Sequence, residues 1–114
     1  MKTDLLPTEN SRYDTDQGAK TEDRLFLLCI SEVKQYFNSN EMRVCQATEY
    51  AKSLGATNAG CAWWLRTSGQ YQDYATHVWQ IGGLNNSGTH VNDIDIGVRP
   101  AMWIDLSQDI FSND

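Results

Sequence analysis

The sequence predicts an α+β domain in which two short helices precede a small twisted antiparallel sheet. Helical patterns are confined to the first half of the chain, where Ser31 and Thr48 are suitable N-caps for segments with apolar residues three and four apart. Strand patterns, separated by glycine-containing turns, occupy the second half. Because helices and strands are segregated rather than alternating, an α+β architecture is favoured over a parallel α/β sheet. A chain of 114 residues is long enough for one domain with its own core.

Residues 1–23 are expected to form an irregular lead-in, and residues 24–114 are expected to form the single domain. The lead-in is polar, contains Pro7 and Gly18, and lacks both helical and strand periodicity. The run RLFLLCI that follows it is typical of a strand buried on both faces. The expected helices cover residues 31–37 and 48–54.

The second half of the chain is expected to form antiparallel strands joined by turns. Aromatic and β-branched residues dominate its apolar runs, as they do in half-buried strands. The glycine pair at 82–83 predicts a hairpin turn, and the Asn-Ser-Gly sequence at 86–88 predicts a second turn. The expected strands lie at residues 61–66, 75–81, from 84 onward, 89–92, 96–99 and 101–106.

Three tryptophans and two arginines of this half are expected to have structural roles. Trp63, Trp64 and Trp103 lie in apolar strands and are most simply core residues. Arg66 and Arg99 also lie within apolar strands, where a buried charge has to be paired. We therefore expect each arginine to contact a carboxylate or to cap backbone carbonyl groups.

Charge and composition exclude several classes of partner. The net charge of −6 and a pI near 4.7 argue against binding to nucleic acid or to an anionic membrane surface. No apolar run approaches the length of a membrane span, and Met1 to Asn10 lack the apolar stretch of a signal peptide. We expect either a cytoplasmic protein or a chain trimmed from a longer one. Cys29, Cys45 and Cys61 cannot form a disulfide framework, although three cysteines allow one disulfide bridge and one free thiol.

The chain resembles a family of uncharacterised bacterial and phage domains. The shared elements are WWLRTSG at 63–69, Ala75 with Val78, and GVRPAMW at 97–103, together with DRLFLLCISEVKQYF and RVCQATEYAKSLGA upstream. The resemblance covers roughly Leu5 to Leu106. It implies the C-type-lectin-like fold shared with formylglycine-generating enzymes and with the variable proteins of diversity-generating retroelements. Longer members carry an additional N-terminal strand region, so a chain without that region is expected to have an open sheet edge.

Catalysis and metal binding find little support in the residues. His77, His90 and the cysteines could act as bases and nucleophiles, but no spacing joins them into a recognisable constellation. Asn92-Asp93 is faintly similar to a calcium-binding element of lectins, yet its companion triplet is missing. A calcium site around Asp93 and Asp95 is therefore less favoured than a solvated acidic loop. We predict no enzymatic activity, no catalytic residue, no metal and no cofactor.

A ligand-binding face is the better supported hypothesis. If Val78 and Val91 face the core, strand alternation turns His77 and Trp79 to the opposite face. Aromatic, His and Asn side chains give large amphipathic contacts at low entropy cost. Trp79 and Tyr74 are the expected anchors. The predicted ligand-binding residues are Tyr71, Gln72, Tyr74, His77, Trp79, Asn85, Asn86, His90, Asn92 and Asp93.

We therefore expect a non-enzymatic binding module that presents a variable aromatic and polar face to a protein or a glycan. The resemblance implies one specific form, a variable protein of a diversity-generating retroelement. The alternative is a structural or assembly module of a larger secreted or phage-associated protein, which would self-associate into a homo-oligomer through an open sheet edge. Either function is compatible with display at a cell or particle surface or with secretion as part of a larger protein, and neither involves membrane insertion or nucleic acid.

Overall fold

The α+β class is confirmed by the structure, a computed structural model that describes residues 2–7, 10, 12, 13, 15–56 and 60–104. Three short helices and two antiparallel sheets occur within these ranges. None of those helices is long and apolar enough to cross a membrane. The elements in chain order are β1 (Thr3–Leu5), β2 (Thr21–Asp23), α1 (Ile30–Tyr36), α2 (Asn40–Arg43), α3 (Glu49–Ser53), β3 (Trp63–Ser68), β4 (Tyr74–Val78) and β5 (Leu84–His90).

The central sheet has the strand order β3-β4-β5, with both neighbouring pairs antiparallel. The predicted hairpin turn at the glycine pair is confirmed, because it joins β4 to β5. The Trp79 N–H donates to the Gly83 carbonyl at 2.7 Å, and the Gly82 N–H donates back to the Trp79 carbonyl at 2.9 Å. Gly82 has a φ of 93°, a conformation that glycine adopts without steric cost.

The second predicted turn, at residues 86–88, is wrong. Strand β5 continues through these residues, and they form an irregularity in its pairing with β4 instead. Gly88 has a φ of 74°, and the Ala75 carbonyl oxygen would lie 2.2 Å from any Cβ placed there. The Asn85 Oδ1 accepts from the Gly88 N–H at 3.1 Å, which is a local contact of the kind that asparagine also makes in turns. The same sequence therefore produces a bulge within a strand rather than a chain reversal.

The core lies between α1 and one face of the sheet. Alternate residues of β3 are buried on this face, where Trp63 and Leu65 pack against Val33 of α1 and Val78 of β4. The Trp63 indole N–H donates to the Arg43 carbonyl at 2.9 Å, so its polar atom is satisfied as well. The core prediction is confirmed for Trp63. The other two predicted core tryptophans are more exposed.

Trp64 and Trp103 differ from that prediction. Trp64 is half-buried on the opposite face of β3. Trp103 is 42% exposed, and its ring meets Tyr36 of α1 edge to face at 5.9 Å. It follows Ala101, whose backbone forms an isolated bridge with Phe26 rather than part of a strand. Trp103 therefore covers one side of α1 without entering the core.

The structural roles of the two arginines take different forms. Arg66 forms an ion pair with Glu32 of α1 and donates to the Leu27 carbonyl at 2.8 Å, as expected. Burial opposes ionisation of Glu32, but hydrogen bonds from Arg66 and from the Cys29 N–H outweigh it and lower the pKa of that carboxyl. Arg99 instead lies over two aromatic rings, 4.9 Å from the Phe37 centroid and 4.8 Å from the Trp63 centroid.

Several expected strands exist only as short contacts. The segment before α1 contributes one bridge, Phe26 to Ala101, and the segment after β5 contributes one more, Trp63 to Gly97. Leu25 is exposed, which is incompatible with a strand buried on both faces. The expected strands at 24–30 and 96–99 are therefore wrong as continuous strands. The last one, at 101–106, extends beyond the described residues, which end at 104.

The described part of the lead-in contains two paired strands where an irregular segment was expected. Strands β1 and β2 pair with each other, with Asp4 opposite Glu22. Side chains then join the lead-in to the central sheet. The Asn10 amide donates to the carbonyl groups of Ser68 and Asn86, at 3.0 and 2.7 Å. Because these contacts come from single polar side chains, hydrophobic periodicity does not reveal them.

The outer edge of β3 is covered by the chain itself. The Trp64 N–H donates to the Gly97 carbonyl at 3.0 Å and the Arg66 N–H to the Leu28 carbonyl at 2.9 Å. The Ser68 N–H donates to the Gln17 side-chain oxygen at 2.7 Å. These outward donors therefore have partners within the chain, and this edge is not available for pairing with another molecule.

We predict that Gly88→Ala lowers the free energy of unfolding by about 3 kcal/mol, because a Cβ adds backbone strain at positive φ and also collides with the Ala75 carbonyl. Gly18→Ala is the matched control, since Gly18 has a φ of 79° with no atom within 4 Å of the added Cβ. It should lose only about 1 kcal/mol. Urea unfolding of the two variants measures the difference. Equal losses would show that the bulge does not bring Gly88 against β4.

Candidate functional site

A group of aromatic and polar side chains lies at the end of the sheet where β4 begins and β5 ends. The Tyr74 ring packs 5.0 Å from Tyr71 and 4.4 Å from His90, measured between ring centroids. The His90 Nδ1 lies 3.0 Å from the Asp73 carboxylate. We call Tyr71, Asp73, Tyr74 and His90 the tyrosine cluster. Tyr71 is 55% exposed, and Asp73 and His90 are also exposed, so the cluster presents aromatic and polar atoms to solvent together.

The backbone fixes the tyrosine cluster in place. The Val91 N–H donates to the Asp73 carbonyl, and the Tyr74 N–H donates to the Tyr71 carbonyl, both at 3.0 Å. Gly69 permits the close approach of these segments, because a Cβ there would lie 2.3 Å from the Ser87 carbonyl oxygen. The backbone of the cluster is therefore already fixed at this end of the sheet. Binding through the cluster would cost little additional conformational entropy.

Three of the predicted ligand-binding residues have internal partners. Gln72 accepts from the Asp16 N–H at 2.8 Å and donates to the Asp16 carbonyl at 3.3 Å, so it joins the lead-in to the sheet. Asn85 uses its side chain to hold His77 and Gly88. Asn86 accepts from the Asn10 amide through its backbone carbonyl. These contacts give the three residues structural roles.

The expected outward position of His77 is wrong in one respect. His77 does lie on the face opposite Val78, but only 1% of it is exposed. Its ring lies between Trp64 and Trp79, with centroids at 6.1 and 4.6 Å, both edge to face. The opposite face of the sheet is thus also covered at this point, so alternation gives the direction of the side chain correctly and its exposure incorrectly.

Val91 departs from the prediction in the opposite direction, because its burial was expected and is not observed. It is 61% exposed. Strand β5 ends at His90, and residues 91 and 92 form a turn, so strand alternation does not extend to them. Asn92 lies exposed in the same turn, and the half-buried Asp93 follows it. The chain then returns toward β3, where the Gly97 N–H donates to the Ala62 carbonyl at 2.8 Å.

The hydrogen bonds around His77 determine its tautomer. The Asn85 Oδ1 accepts from the Gly88 N–H, so the amide nitrogen of Asn85 has to be the group that faces the His77 Nε2, at 2.9 Å. The Nε2 is therefore an acceptor, and a neutral ring carries its proton on Nδ1. The buried Nδ1 has no hydrogen-bond partner among the described residues.

Burial lowers the pKa of His77, because the charged ring would lose its hydration. The backbone of Val78 and the negative charge of Asp93 act in the opposite direction without compensating for it. The Val78 backbone lies near the ring, yet no carbonyl meets Nδ1 in hydrogen-bond geometry within the described part of the chain. At neutral pH the ring is uncharged.

A cleft of about 130 Å³ lies beside His77. Its lining includes Trp79 and Gln80 from the turn after β4, Asp93 and Asp95 from the loop after β5, and the buried Ile96. Trp79 is 49% exposed, so it lines the cleft and is also accessible from the outer surface. The remaining lining residues are Ala62, His77 and Thr89. We call this the His77 cleft.

Five lining residues of the cleft were not among the predicted binding residues: Ala62, Gln80, Thr89, Asp95 and Ile96. No local sequence pattern distinguishes them, since the turn after β4 and the loop after β5 meet only through the return of the chain to β3. Asp95 was considered only as a calcium ligand. Within the described ranges, no three His, Cys, Asp or Glu side chains come together as a metal ion would require. The three cysteines are free thiols, with Cys29 and Cys61 buried.

The comparisons with known proteins give a family and no function. The model of the family described as "Domain of unknown function (DUF6273)" matches residues 1–106. Searches of the curated proteins and of the solved structures find no significant match.

We predict that His77 makes the folded state less stable as the pH falls below about 6.5, its usual pKa. The unfolded state takes up a proton there, whereas the folded state does so only at lower pH, so the free energy of unfolding falls by at most about 1.4 kcal/mol per pH unit. Urea unfolding from about pH 7.5 to about pH 5.5 measures the slope. His77→Gln should reduce this slope.

A direct titration gives an independent check, because His77→Gln removes a buried side chain and could prevent folding. The ring signals of His77, followed by NMR in the unaltered protein, should titrate below the usual value of 6.5. A midpoint at or above that value would contradict the assignment of a neutral buried ring.

Proposed function

The chain belongs to the DUF6273 family, a domain of unknown function, and from this premise we propose that it is a non-enzymatic binding module. Its ligand face consists of the tyrosine cluster and the His77 cleft, and its ligand is a protein or a glycan. The observation that carries the proposal is the ordered, exposed contact of Tyr71, Tyr74 and His90. Rings held in this way offer a large amphipathic contact area at low entropy cost.

The geometry favours binding over catalysis at these residues. His90 and Asp73 form a pair, but both side chains are exposed and the pair is not enclosed in a cavity. His77 is enclosed, yet its Nε2 is already occupied by Asn85. A general base needs a free nitrogen within reach of a substrate in a site that excludes water. Neither histidine has both a free acceptor nitrogen and an enclosed position.

The alternative function, assembly through an open sheet edge, receives less support. At the outer edge of β3 the backbone donors of Trp64, Arg66 and Ser68 have partners within the chain. A homo-oligomer would have to use another surface, such as the exposed ring of Trp79. Light scattering at increasing concentration tests this alternative, which predicts a dimer that Trp79→Ala makes monomeric.

We also propose that the fold is a reduced C-type-lectin-like domain. The support is an antiparallel sheet with a helix packed on one face and long irregular segments on the other, together with the motifs from 63–69 and 97–103. Within this proposal, a variable protein of a diversity-generating retroelement is one form. The nucleotide sequence around codons 70–96 tests it, because a nearby copy that differs mainly at adenines would be expected beside a reverse transcriptase gene.

The proposed face is tested with a glycan array and a displayed library of short random peptides, both probed with the tagged chain. We predict that Tyr74→Ala combined with Trp79→Ala weakens any recovered ligand by about tenfold or more, since buried aromatic anchors dominate hot spots. Tyr50→Ala is the matched control, because Tyr50 is an exposed aromatic residue on α3. Ligands that bind both variants equally, or the absence of any ligand, would overturn the proposal.

A further inference from the structure

A second cavity, of about 210 Å³, is lined by the segment before α3, by α3 itself and by residues 97–100. Trp63 of β3 also contributes to it, and it shares no lining residue with the His77 cleft. Arg99 is the one charged residue that lines this cavity within the described part of the chain, and we call the cavity the Arg99 pocket. A protein with a net charge of −6 therefore has a pocket whose described lining carries only positive charge.

The guanidinium of Arg99 has no counter-ion among the described residues. It takes part in none of the ion pairs found there, and its Nη1 is buried without a hydrogen-bond partner. Arg66, the other arginine of this half of the chain, is paired with Glu32. Arg99 is half-buried, and a charge in such a position is normally paired because burial removes its hydration. An anion from outside the chain would supply the missing partner.

Two aromatic rings hold the Arg99 guanidinium in place without neutralising it. Its Cζ lies 4.9 Å from the Phe37 centroid and 4.8 Å from the Trp63 centroid, and the two rings meet edge to face. A ring attracts a cation but carries no net charge. Two rings cannot accept from all five N–H donors of a guanidinium, which lie in one plane. The group is therefore oriented in advance and has donors left for a ligand.

The chemistry of the lining favours a carboxylate as that ligand. A single arginine matches a single negative charge, and its planar fork of N–H groups matches the two oxygens of a carboxylate. The Thr48 hydroxyl, which also lines the pocket, accepts from the Ala51 N–H at 3.1 Å and still has a hydrogen to donate. The pocket is smaller than the roughly 300–1,000 Å³ of a drug-sized site, so the group that carries the carboxylate has to be short.

We infer that the Arg99 pocket binds a carboxylate on a short apolar stem, with the Arg99 guanidinium as its counter-ion. Ala47, Ala51, Val98 and Pro100 supply apolar lining against which the stem packs. A free short-chain acid and an acidic side chain of a partner protein offer this same chemistry, and the experiment distinguishes the two sources. The inference goes beyond the proposed function, because it uses neither the tyrosine cluster nor the His77 cleft.

The test is a titration of the unaltered chain with butyrate and, separately, with its uncharged counterpart butyramide. Binding is followed by NMR through the Arg99 Nε–H signal and the backbone amide signals of Ala51 and Val98. We expect these signals to shift and to saturate at about millimolar butyrate, the range open to so small a ligand. Butyramide should bind about tenfold more weakly or less, because it lacks the charge-assisted hydrogen bonds. Equal binding of the two compounds, or no saturating shift with butyrate, would overturn the inference.

Three variants show whether the pocket itself is responsible. Arg99→Gln should abolish the butyrate shifts of the backbone amides, whereas Arg24→Gln, the matched control, removes an exposed arginine outside the pocket and should retain them. Ala51→Leu should weaken butyrate severalfold, because it reduces the space in the pocket and leaves Arg99 unchanged. If Arg99→Gln does not fold, Ala51→Leu and the comparison with butyramide still decide. Normal butyrate binding by folded Arg99→Gln would contradict the assignment.

Competition distinguishes the sources of the carboxylate. Peptides from the displayed library that require an aspartate or glutamate and are displaced by butyrate would identify a partner side chain, and butyrate binding without such peptides would identify a free acid. Displacement of butyrate by lower concentrations of inorganic phosphate would overturn the choice of a carboxylate. The outcomes are independent of the proposed function, because that function depends on Tyr74 and Trp79 and this inference depends on Arg99.

Discussion

The outer edge of β3 is the constraint on which the rest of the structure depends. A strand buried at this position has to satisfy its outward backbone donors, because an unpaired buried N–H is costly. The chain satisfies them with three unrelated segments. The Trp64 N–H uses the carbonyl of Gly97, the Arg66 N–H uses that of Leu28, and the Ser68 N–H uses the side chain of Gln17. Each contact fixes the path of a segment that has no strand of its own.

The two ends of this edge then determine the two halves of the candidate site. The contact at Gly97 brings the loop after β5 back against β3, and Asp93 and Asp95 of this loop line the same cleft as Trp79. At the other end, the lead-in joins Ser68, and the same lead-in holds Gln72 beside the tyrosine cluster. The ligand face is therefore a consequence of how β3 is covered.

Local chemistry explains the parts of the fold that the sequence predicts correctly. Thr48 caps α3 by accepting from the Ala51 N–H at 3.1 Å, and Gly55 follows that helix with a φ of 116°. Both features depend on neighbouring residues, as does the turn at residues 82–83. The start of α1 is less predictable, because the helix begins at Ile30 with Cys29 and not the expected Ser31 as its N-cap. The Glu32 side chain accepts from the Cys29 N–H at 2.9 Å. The position of the lead-in is not predictable from the sequence, since its own side chains, those of Asn10 and Gln17, hold it to backbone groups of Ser68 more than 50 residues away along the chain.

His77 and Val91 show why the site is harder to predict than the fold. Alternation along a strand states which side of the sheet a residue faces, and it does so correctly for His77. It does not state whether that side is covered. The cover over His77 comes from Trp79 and from a loop whose path depends on a hydrogen bond between Gly97 and β3. The same loop leaves the strand before Val91, which exposes a residue that a longer strand would bury. The cleft forms because segments that are distant in the sequence pair with each other. Its acidic lining and its buried imidazole donor can therefore be recognised only in the folded structure.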